Sequence, residues 1–439
     1  MNRAGIAWIG VLTAFLGLAL GGPAQAVDDE TMQEVLQILR DEGLIDEERH
    51  SELATKVEKR GDKLAWLERI SIWGDFRGRY ENFFFDRDPV AEAAGERLPN
   101  RHRVRYRLRL NLSGVVNDYA TVFLRLASGS DDARSTNQTL GRGVDFDSDD
   151  IRLDLAYVTL TATPGGELCC VEDGYLGLDL GKVKNPFVWK DLGMDALVWD
   201  GDITPEGGSL RFRGRAGPVN LFANGGFYLI DENGADSAKD PQLLGGQLGG
   251  DVELFENVTF GARGSIYHYA SLDDDFFTRA AGGGNLVDGL ARRNGSIQVI
   301  ESSAFLELAH HELFPILIFG SYAHNLSART SLASGAGRND DAYALGIFVG
   351  DKKKLVKVGF AYVAVQANAL PSMFIDSDLT DGVTNRDAYV WMLQRQLLSN
   401  LELAYKVLLS DKLRGGAAYV DSIAGADRLR MQLDLKLKF

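Results

Sequence analysis

From Ile70 to its last residue, the chain alternates apolar and polar side chains with a period of two. The pattern is clearest in the C-terminal "LRMQLDLKLKF", where every second residue from Leu429 to Phe439 is apolar and the residues between them are charged or amide-bearing. Successive side chains of a β-strand point to opposite faces, so this period predicts strands with one apolar and one polar face. The apolar faces of so many strands need a partner other than water.

The stretch "RHRVRYRLRL" places arginine at every second position from Arg101 to Arg109. In a strand these five guanidinium groups form one row on one face, which we call the arginine row: Arg101, Arg103, Arg105, Arg107 and Arg109. The preceding "WGDFRGRYEN" follows the same rule and carries Arg77 and Arg79 on its polar face. If these two strands pair, up to seven arginines share one wall.

Strand-like runs are separated alternately by short turns and by long stretches rich in Asp, Gly, Ser and Asn. The sixteen predicted runs centre on residues 70–82, 101–112, 118–127, 150–162, 174–184, 208–216, 218–229, 242–254, 257–269, 296–309, 314–325, 341–350, 354–366, 387–397, 400–410 and 428–439. The connection "TPGGELCCVEDG" is longer than the other short turns. An even number of strands with turns of alternating length is the pattern of bacterial transmembrane barrels.

These features predict an all-β transmembrane barrel of about sixteen antiparallel strands, formed by residues 70–439. Backbone groups within a membrane must all be paired, so a spanning sheet has to close on itself. Closure would turn Val104, Tyr106 and Leu108 toward lipid and the arginine row toward a water-filled lumen. Arginine on the lipid face would cost about 2–4 kcal/mol per residue near the midplane, so the register is strongly constrained.

The N-terminal region has a different character from the barrel. Residues 1–26 combine Arg3, an apolar stretch and the small-residue sequence "AQA", which predicts a secretory signal peptide; an N-terminal membrane anchor is the alternative. Residues 27–69 show apolar residues at helical spacing among many charges, which predicts a short α-helical periplasmic segment. This segment is interpreted as a solvated hairpin, an oligomerising coiled coil or a contact with the cell wall.

The third long loop, residues 185–207, is both acidic and unusually apolar for an exposed connection. Its apolar content, which includes "PFVW" and "ALVW", predicts a loop folded inward against the barrel wall. The carboxylates of this loop and its boundary are Asp191, Asp195, Asp200, Asp202 and Glu206.

The motifs "GDFRGRYE", "GKVKNPF…LVWDGDITPEGG" and the terminal "LKLKF" make the region from Ile70 to Phe439 resemble a bacterial outer-membrane porin, most closely the putative-porin family. The resemblance implies a lumen narrowed by the third loop, with Asp200, Asp202 and Glu206 facing Arg103, Arg105, Arg107 and Arg109. The loop has "TPEGG" where general porins carry a Pro-Glu-Phe-Gly-Gly string. The pore residues implied are Arg77, Arg79, Arg103, Arg105, Arg107, Arg109, Asp200, Asp202 and Glu206.

The resemblance also implies partners. Phe439 would be the assembly signal that the barrel assembly machinery reads, and the barrel would be a homotrimer in contact with outer-membrane lipid and lipopolysaccharide. Residues 28–69 are a candidate for contact with the cell wall. The net charge of −15 argues against binding of nucleic acid.

An enzymatic reading finds little support. His310, His311 and Glu312 could bind a metal, but a solvated turn explains them better, and no nucleophile–base pair stands out. No catalytic residue, cofactor or metal is predicted. The only two cysteines, Cys169 and Cys170, are adjacent and are read as free thiols or a vicinal disulfide.

The predicted function is an outer-membrane porin, a water-filled channel for passive diffusion of small hydrophilic solutes and ions. Two alternatives remain open, a substrate-specific channel that prefers anions and a structural anchor of the outer membrane.

Overall fold

The computed structural model describes residues 36–37, 40, 46–64, 69–85, 100–129, 132–143, 148–162, 172–189, 197–234, 239–292, 294–331, 337–414 and 427–439. The predicted signal peptide, Cys169 and Cys170, and Asp191 and Asp195 lie outside the described residues. The chain divides into two units, residues 1–69 and residues 70–439.

In the first unit, helix α1 spans Glu47–Leu64, within the segment predicted to be helical. Its start is capped by Asp46, whose side chain accepts a hydrogen bond from the backbone N–H of Arg49 at 2.7 Å. Glu52 forms ion pairs with Arg49 at 2.8 Å and with Lys56 at 2.5 Å along one helix face. No helix within the described residues is both long and apolar enough to cross a membrane.

The second unit is a closed antiparallel barrel, and the predicted all-β fold with sixteen strands is confirmed. The first strand pairs with the last from Asp75 opposite Lys438 to Phe85 opposite Arg428, which closes the sheet. A two-residue strand, Gln138–Thr139, adds to the second barrel strand. The described barrel strands are β1 Ile70–Phe85, β2 Arg101–Asn117, β3 Ala120–Ser128, β4 Ile151–Thr161, β5 Glu172–Lys182, β6 Glu206–Ala216, β7 Val219–Leu229, β8 Gln242–Phe255, β9 Val258–Ala270, β10 Ile297–Leu308, β11 Ile316–Asn325, β12 Asp341–Val349, β13 Lys357–Val365, β14 Arg386–Leu398, β15 Leu401–Lys412 and β16 Arg428–Lys438.

Each strand turns alternate side chains outward and inward, as the period-two pattern requires. In β12, Tyr343, Leu345 and Ile347 are exposed on the outer face, whereas Ala344 and Phe348 are buried inside. In β16, the outward Leu433 alternates with the buried inward residues Gln432 and Asp434. The outer surface is therefore apolar, which suits a barrel that faces lipid.

The interior departs from a simple polar lining. Connections between strands fold inward and bury apolar side chains against the inner faces of β7–β15, in one continuous cluster that we call the lumen core. Besides residues of the third long loop, it includes helix α2 (Asp274–Gly282), helix α3 (Val287–Leu290) and the turn around Ser372–Phe374. The loop residues that define the lumen core are Phe187, Leu197, Val198, Trp199, Ile203, Leu272, Phe276, Leu290, Ala369, Leu370, Ile375 and Leu379.

The chain end is tied into the barrel beside Gly74. The backbone N–H of Gly74 donates to the Phe439 carbonyl at 2.8 Å, and the Phe439 N–H donates back at 3.1 Å. A side chain at position 74 would lie 2.5 Å from the Phe439 ring, so this close approach requires glycine. Phe439 itself is 59% exposed on the outer surface.

Candidate functional site

The lumen wall formed by β16, β1 and β2 carries most of the predicted pore residues. In the register of β1 with β2, Arg77 lies opposite Arg107, Arg79 opposite Arg105, and Glu81 opposite Arg103. On the other side of β1, Arg77 lies opposite Lys436 and Arg79 opposite Asp434. Because all these positions have the same parity, their side chains share the inner face.

A cavity of about 740 Å³ follows this wall. Its lining contains fifteen Arg and Lys residues but only eight Asp and Glu residues, in a chain whose net charge is −15. The charge of the lining is therefore opposite in sign to that of the whole chain.

Many of the wall arginines are paired with carboxylates. Arg79 donates to both oxygens of Asp434, at 2.6 and 2.8 Å, and lies 3.1 Å from Asp378. Arg107 donates to Asp75 at 2.5 Å. Such pairs fix the guanidinium planes, because the arginine fork matches a carboxylate in two positions.

Glu81 is the centre of the wall's ion-pair network. Its carboxylate is completely buried and accepts from Arg103 and, at 2.7 Å, from Arg430. Gln432 donates to the same oxygen as Arg430 at 2.9 Å. This one carboxylate thus links three neighbouring strands, β16, β1 and β2.

The third long loop brings Asp202 to the arginine row. Its carboxylate contacts Arg109 directly and lies 3.3 Å from the Thr136 hydroxyl, which donates to it. Burial alone would raise the pKa of Asp202, but the cations of Arg109, Arg107 and Arg77 hold that pKa well below its usual range. Asp202 is therefore ionised at neutral pH.

Asp200 lies beside Asp202 but faces another loop. Its carboxylate accepts from the backbone N–H of Ser377 at 2.9 Å and from that of Asp202 at 2.9 Å. Burial raises the pKa of Asp200 well above its usual range, and the negative charges of Asp376 and Asp202 raise it further. Of the two carboxylates, Asp202 is therefore the more readily ionised.

Apolar packing explains why the third loop folds inward. Phe187 and Trp199 are buried in the lumen core, with ring centroids 6.3 Å apart. Trp199 also packs against Tyr267 of β9 at 5.4 Å and against Phe374 at 5.5 Å. The large apolar residues that distinguish this loop in the sequence are the ones that hold it against the wall.

Glu206 lies apart from the arginine row. It opens β6 and accepts from Lys182 at 2.7 Å, and it does not line the cavity along the wall. Of the three carboxylates that the resemblance implied, the structure brings Asp202 to Arg109 and places Asp200 on the cavity lining beside the connection between β13 and β14.

Sequence reasoning missed a second acidic loop, residues 366–385 between β13 and β14. Asp378 and Asp381 of this loop contact Arg430 at 2.8 and 3.3 Å. Burial opposes ionisation of Asp378, but Arg79, Arg430 and Lys406 hold its pKa well below the usual range. The stretch "ALPSMFIDSDLTDG" mixes apolar residues and aspartates as the third loop does, and that signal was available in the sequence.

Sequence reasoning also left out the inward residues of β16. Arg430 and Lys436 line the cavity with Asp434, and all three are the polar partners in the terminal alternation. They follow from the same parity argument that selected the arginine row.

The possible metal ligands lie elsewhere. His310, His311 and Glu312 occupy an exposed turn, where Glu312 pairs with Lys354 at 3.1 Å. In the part of the chain that the structure describes, His324, Asp340 and Asp341 bring three potential ligand atoms within 4.8 Å of one another. Arg338 already pairs with Asp340 there, at 3.1 Å.

Comparison with known proteins agrees with this architecture. The structure is similar to that of OprB from Pseudomonas putida, with a TM-score of 0.50 and 9% identity over 87% of this chain and 97% of that chain. Two further matches have lower TM-scores. OmpF of Salmonella typhi in complex with daunomycin matches with a TM-score of 0.48 and 12% identity over 84% of this chain and 97% of that chain. A triple mutant of the Rhodopseudomonas blastica porin matches with a TM-score of 0.42 and 12% identity over 84% of this chain and 100% of that chain. No curated protein sequence is significantly similar.

Residues 91–276 match the family model described as "Putative porin". This range runs from the connection before β2 to helix α2, and so it contains the arginine row and the third long loop. The chain is therefore similar to the putative-porin family over residues 91–276, and residues 70–439 form a closed sixteen-stranded barrel.

Proposed function

We propose that the protein is a water-filled channel of the Gram-negative outer membrane, through which small hydrophilic solutes and ions diffuse passively. The observation that carries this proposal is the charged cavity between the β16–β1–β2 wall and the inward loops. An apolar outer face with a charged interior is the arrangement expected of a barrel that conducts water and ions across lipid. Catalysis has no part in the proposal.

Reconstitution of the purified protein in planar bilayers tests the channel directly. We expect stepwise current increases in potassium chloride, with a conductance that rises with salt concentration. An anchor with no transport role would give folded, inserted protein and no current. A substrate-specific channel would instead show a current that saturates as the permeating solute is raised.

A preference for anions is a second candidate, and a specific observation favours it. The cavity lining has fifteen cationic side chains against eight carboxylates, and Lys436 and Arg430 extend the basic wall beyond the arginine row. Fixed charges of one sign around a narrow water path raise the local concentration of the opposite ion.

Selectivity should depend on the arginine row and on Asp202. Replacing Arg105 and Arg107 by Ala should shift the reversal potential in a salt gradient toward cations, with a several-fold change in the permeability ratio. Replacing Asp200 and Asp202 by Asn should shift it toward anions, and Asp202→Asn alone should reproduce most of that shift because Asp202 is the carboxylate that contacts the arginine row. Arg213→Ala, a lumen arginine outside the cavity lining, is the control. Unchanged reversal potentials in both double variants would contradict this assignment.

The partners proposed for the channel rest on the resemblance to the putative-porin family. We propose a homotrimer embedded in lipid and lipopolysaccharide, with residues 27–69 in the periplasm and a contact with the cell wall through residues 28–69.

Phe439 should act in assembly. Because its exposed ring directly follows β16 at the outer surface, Phe439→Ala should lower the yield of folded protein in the outer membrane several-fold while leaving single-channel conductance unchanged. Heat-modifiable migration of membrane fractions measures the yield. Phe255→Ala, which removes another exposed ring at a strand end, controls for lost apolar surface. Equal yields for both variants would argue against an assembly signal.

A further inference from the structure

Four arginines form a square at the middle of the wall: Arg77 and Arg79 on β1, and Arg105 and Arg107 on β2. Arg77 lies opposite Arg107 and Arg79 lies opposite Arg105, so within the square each cation has two cationic neighbours. Cross-strand neighbours on one face are roughly 5 Å apart at Cβ, and like charges at that separation repel. The square is therefore stable only if its charge is compensated.

The two diagonals of this arginine square are compensated differently. Arg79 and Arg107 donate to carboxylates, Asp434 at 2.6 Å and Asp75 at 2.5 Å. Arg77 and Arg105 donate their hydrogen bonds to neutral partners instead. For these two the nearest carboxylates among the described residues are Asp434 at 3.9 Å and Glu81 at 3.8 Å, both already bonded to other arginines.

Asn137 accepts hydrogen bonds from both arginines of the second diagonal, Arg77 and Arg105. The side-chain oxygen of Asn137 accepts from Arg77 at 2.5 Å, and its backbone carbonyl accepts from Arg105 at 3.1 Å. Ser135 accepts from Arg105 at 3.1 Å and from the Asn137 amide at 3.1 Å. The adjacent short strand pairs with β2 at Arg105, so the segment that carries Asn137 is fixed to the wall.

Both arginines keep unused donor capacity. The Nε–H groups of Arg77 and Arg105 are buried and have no hydrogen-bond partner among the described residues. Arg77 is only 8% exposed. A buried donor left unsatisfied is unfavourable, and more so when it is charged. An anion with several acceptor oxygens would satisfy these donors and offset the charge.

We propose that Arg77 and Arg105, positioned by Asn137, form a binding site for a compact oxyanion such as phosphate on the conduction path. The site deepens the proposed function, on which it rests. Arginine forks suit this ligand because each guanidinium can donate two parallel hydrogen bonds to neighbouring oxygens, whereas a chloride ion offers only one acceptor atom. The neutral partners keep the site open, whereas carboxylates fill the other diagonal.

Inorganic phosphate is the probe. In planar bilayers at about 0.1 M chloride, where the Debye length is about 10 Å, phosphate should reduce the chloride current in a saturable manner. In the double variant Arg77→Gln/Arg105→Gln, the half-blocking phosphate concentration should rise about tenfold or more. The control variant Arg213→Gln changes an arginine outside the cavity lining, so its half-blocking phosphate concentration should equal that of the parent protein.

Asn137→Asp supplies a second, nearly isosteric variant, which places a carboxylate against Arg77 within the site and so should not impair folding. It should weaken phosphate block to the same extent as the double variant while preserving a chloride current. If phosphate blocks Asn137→Asp as strongly as the parent, or if the parent conducts chloride without any phosphate block, the proposed oxyanion site is wrong. Either result would leave the proposed channel function standing. Absence of any current in the parent would overturn the proposed function itself.

Discussion

Replacing Glu81 by Gln should lower the free energy of unfolding of the barrel by about 3–5 kcal/mol, the range for removing one partner of a buried ion pair. The Glu81 carboxylate has no exposed surface and accepts from Arg103 and Arg430. Two more guanidinium groups, those of Arg79 and Arg105, lie 3.7 and 3.8 Å from the Glu81 carboxylate. Glutamine keeps the shape but leaves these cations without their shared counter-charge. Urea unfolding in detergent micelles, followed by heat-modifiable migration, measures the effect.

Glu206→Gln is the matched control, because the same substitution there removes an ion pair at the surface. The Glu206 side chain is 66% exposed and its partner is Lys182. Exposed pairs contribute about 0–1 kcal/mol, so unfolding of this variant should be nearly unchanged. Equal loss of stability in the two variants would mean that Glu81 does not organise the wall.

Replacing Trp199 by Ala should lower the free energy of unfolding by about 3–5 kcal/mol, the range for removing a large buried aromatic side chain. Trp199 is 4% exposed and touches Phe187, Tyr267 and Phe374, which belong to the third loop, β9 and the second acidic loop. Its loss should also loosen both loops. Single-channel recordings should therefore show larger or noisier currents than those of the parent.

Trp391→Ala is the control, because it also removes a tryptophan but one that does not contact the two loops. Trp391 lies on the outer face of β14 among Phe360 and Tyr389 and is not part of the lumen core. Its removal should leave the conductance unchanged. If Trp199→Ala gives the parent conductance and noise, the lumen core does not hold the loops that narrow the channel.

The barrel could be predicted because one face of every strand meets lipid. That requirement makes residues such as Leu433 and Leu435 alternate with Gln432 and Asp434 so regularly that strand boundaries follow within a few residues. The arginine row followed from the same parity, since arginine on the outer face would be costly.

The interior was harder to predict, because the period of two says which residues share a face but not what covers that face. In β13, Ala361, Val363 and Val365 point inward and are buried by loops, so both faces of this strand are apolar. Asp378 reaches Arg79 only because a distant loop folds into the closed barrel. Glu206 was assigned to the pore by resemblance, although its position at the start of β6 directs it to Lys182.

The lumen core also constrains the order in which the chain acquires its structure. Its parts come from distant segments: the hydrogen bond from Ser377 to Asp200 joins residues 177 positions apart. Contacts of such sequence separation form slowly, because the intervening chain must first be brought together. We therefore expect the strands to pair and the cylinder to close before the loops dock, with the apolar loop residues exposed to water in the interval. Chaperones that shield these segments in transit would then protect the inside of the finished channel as well as its outer surface.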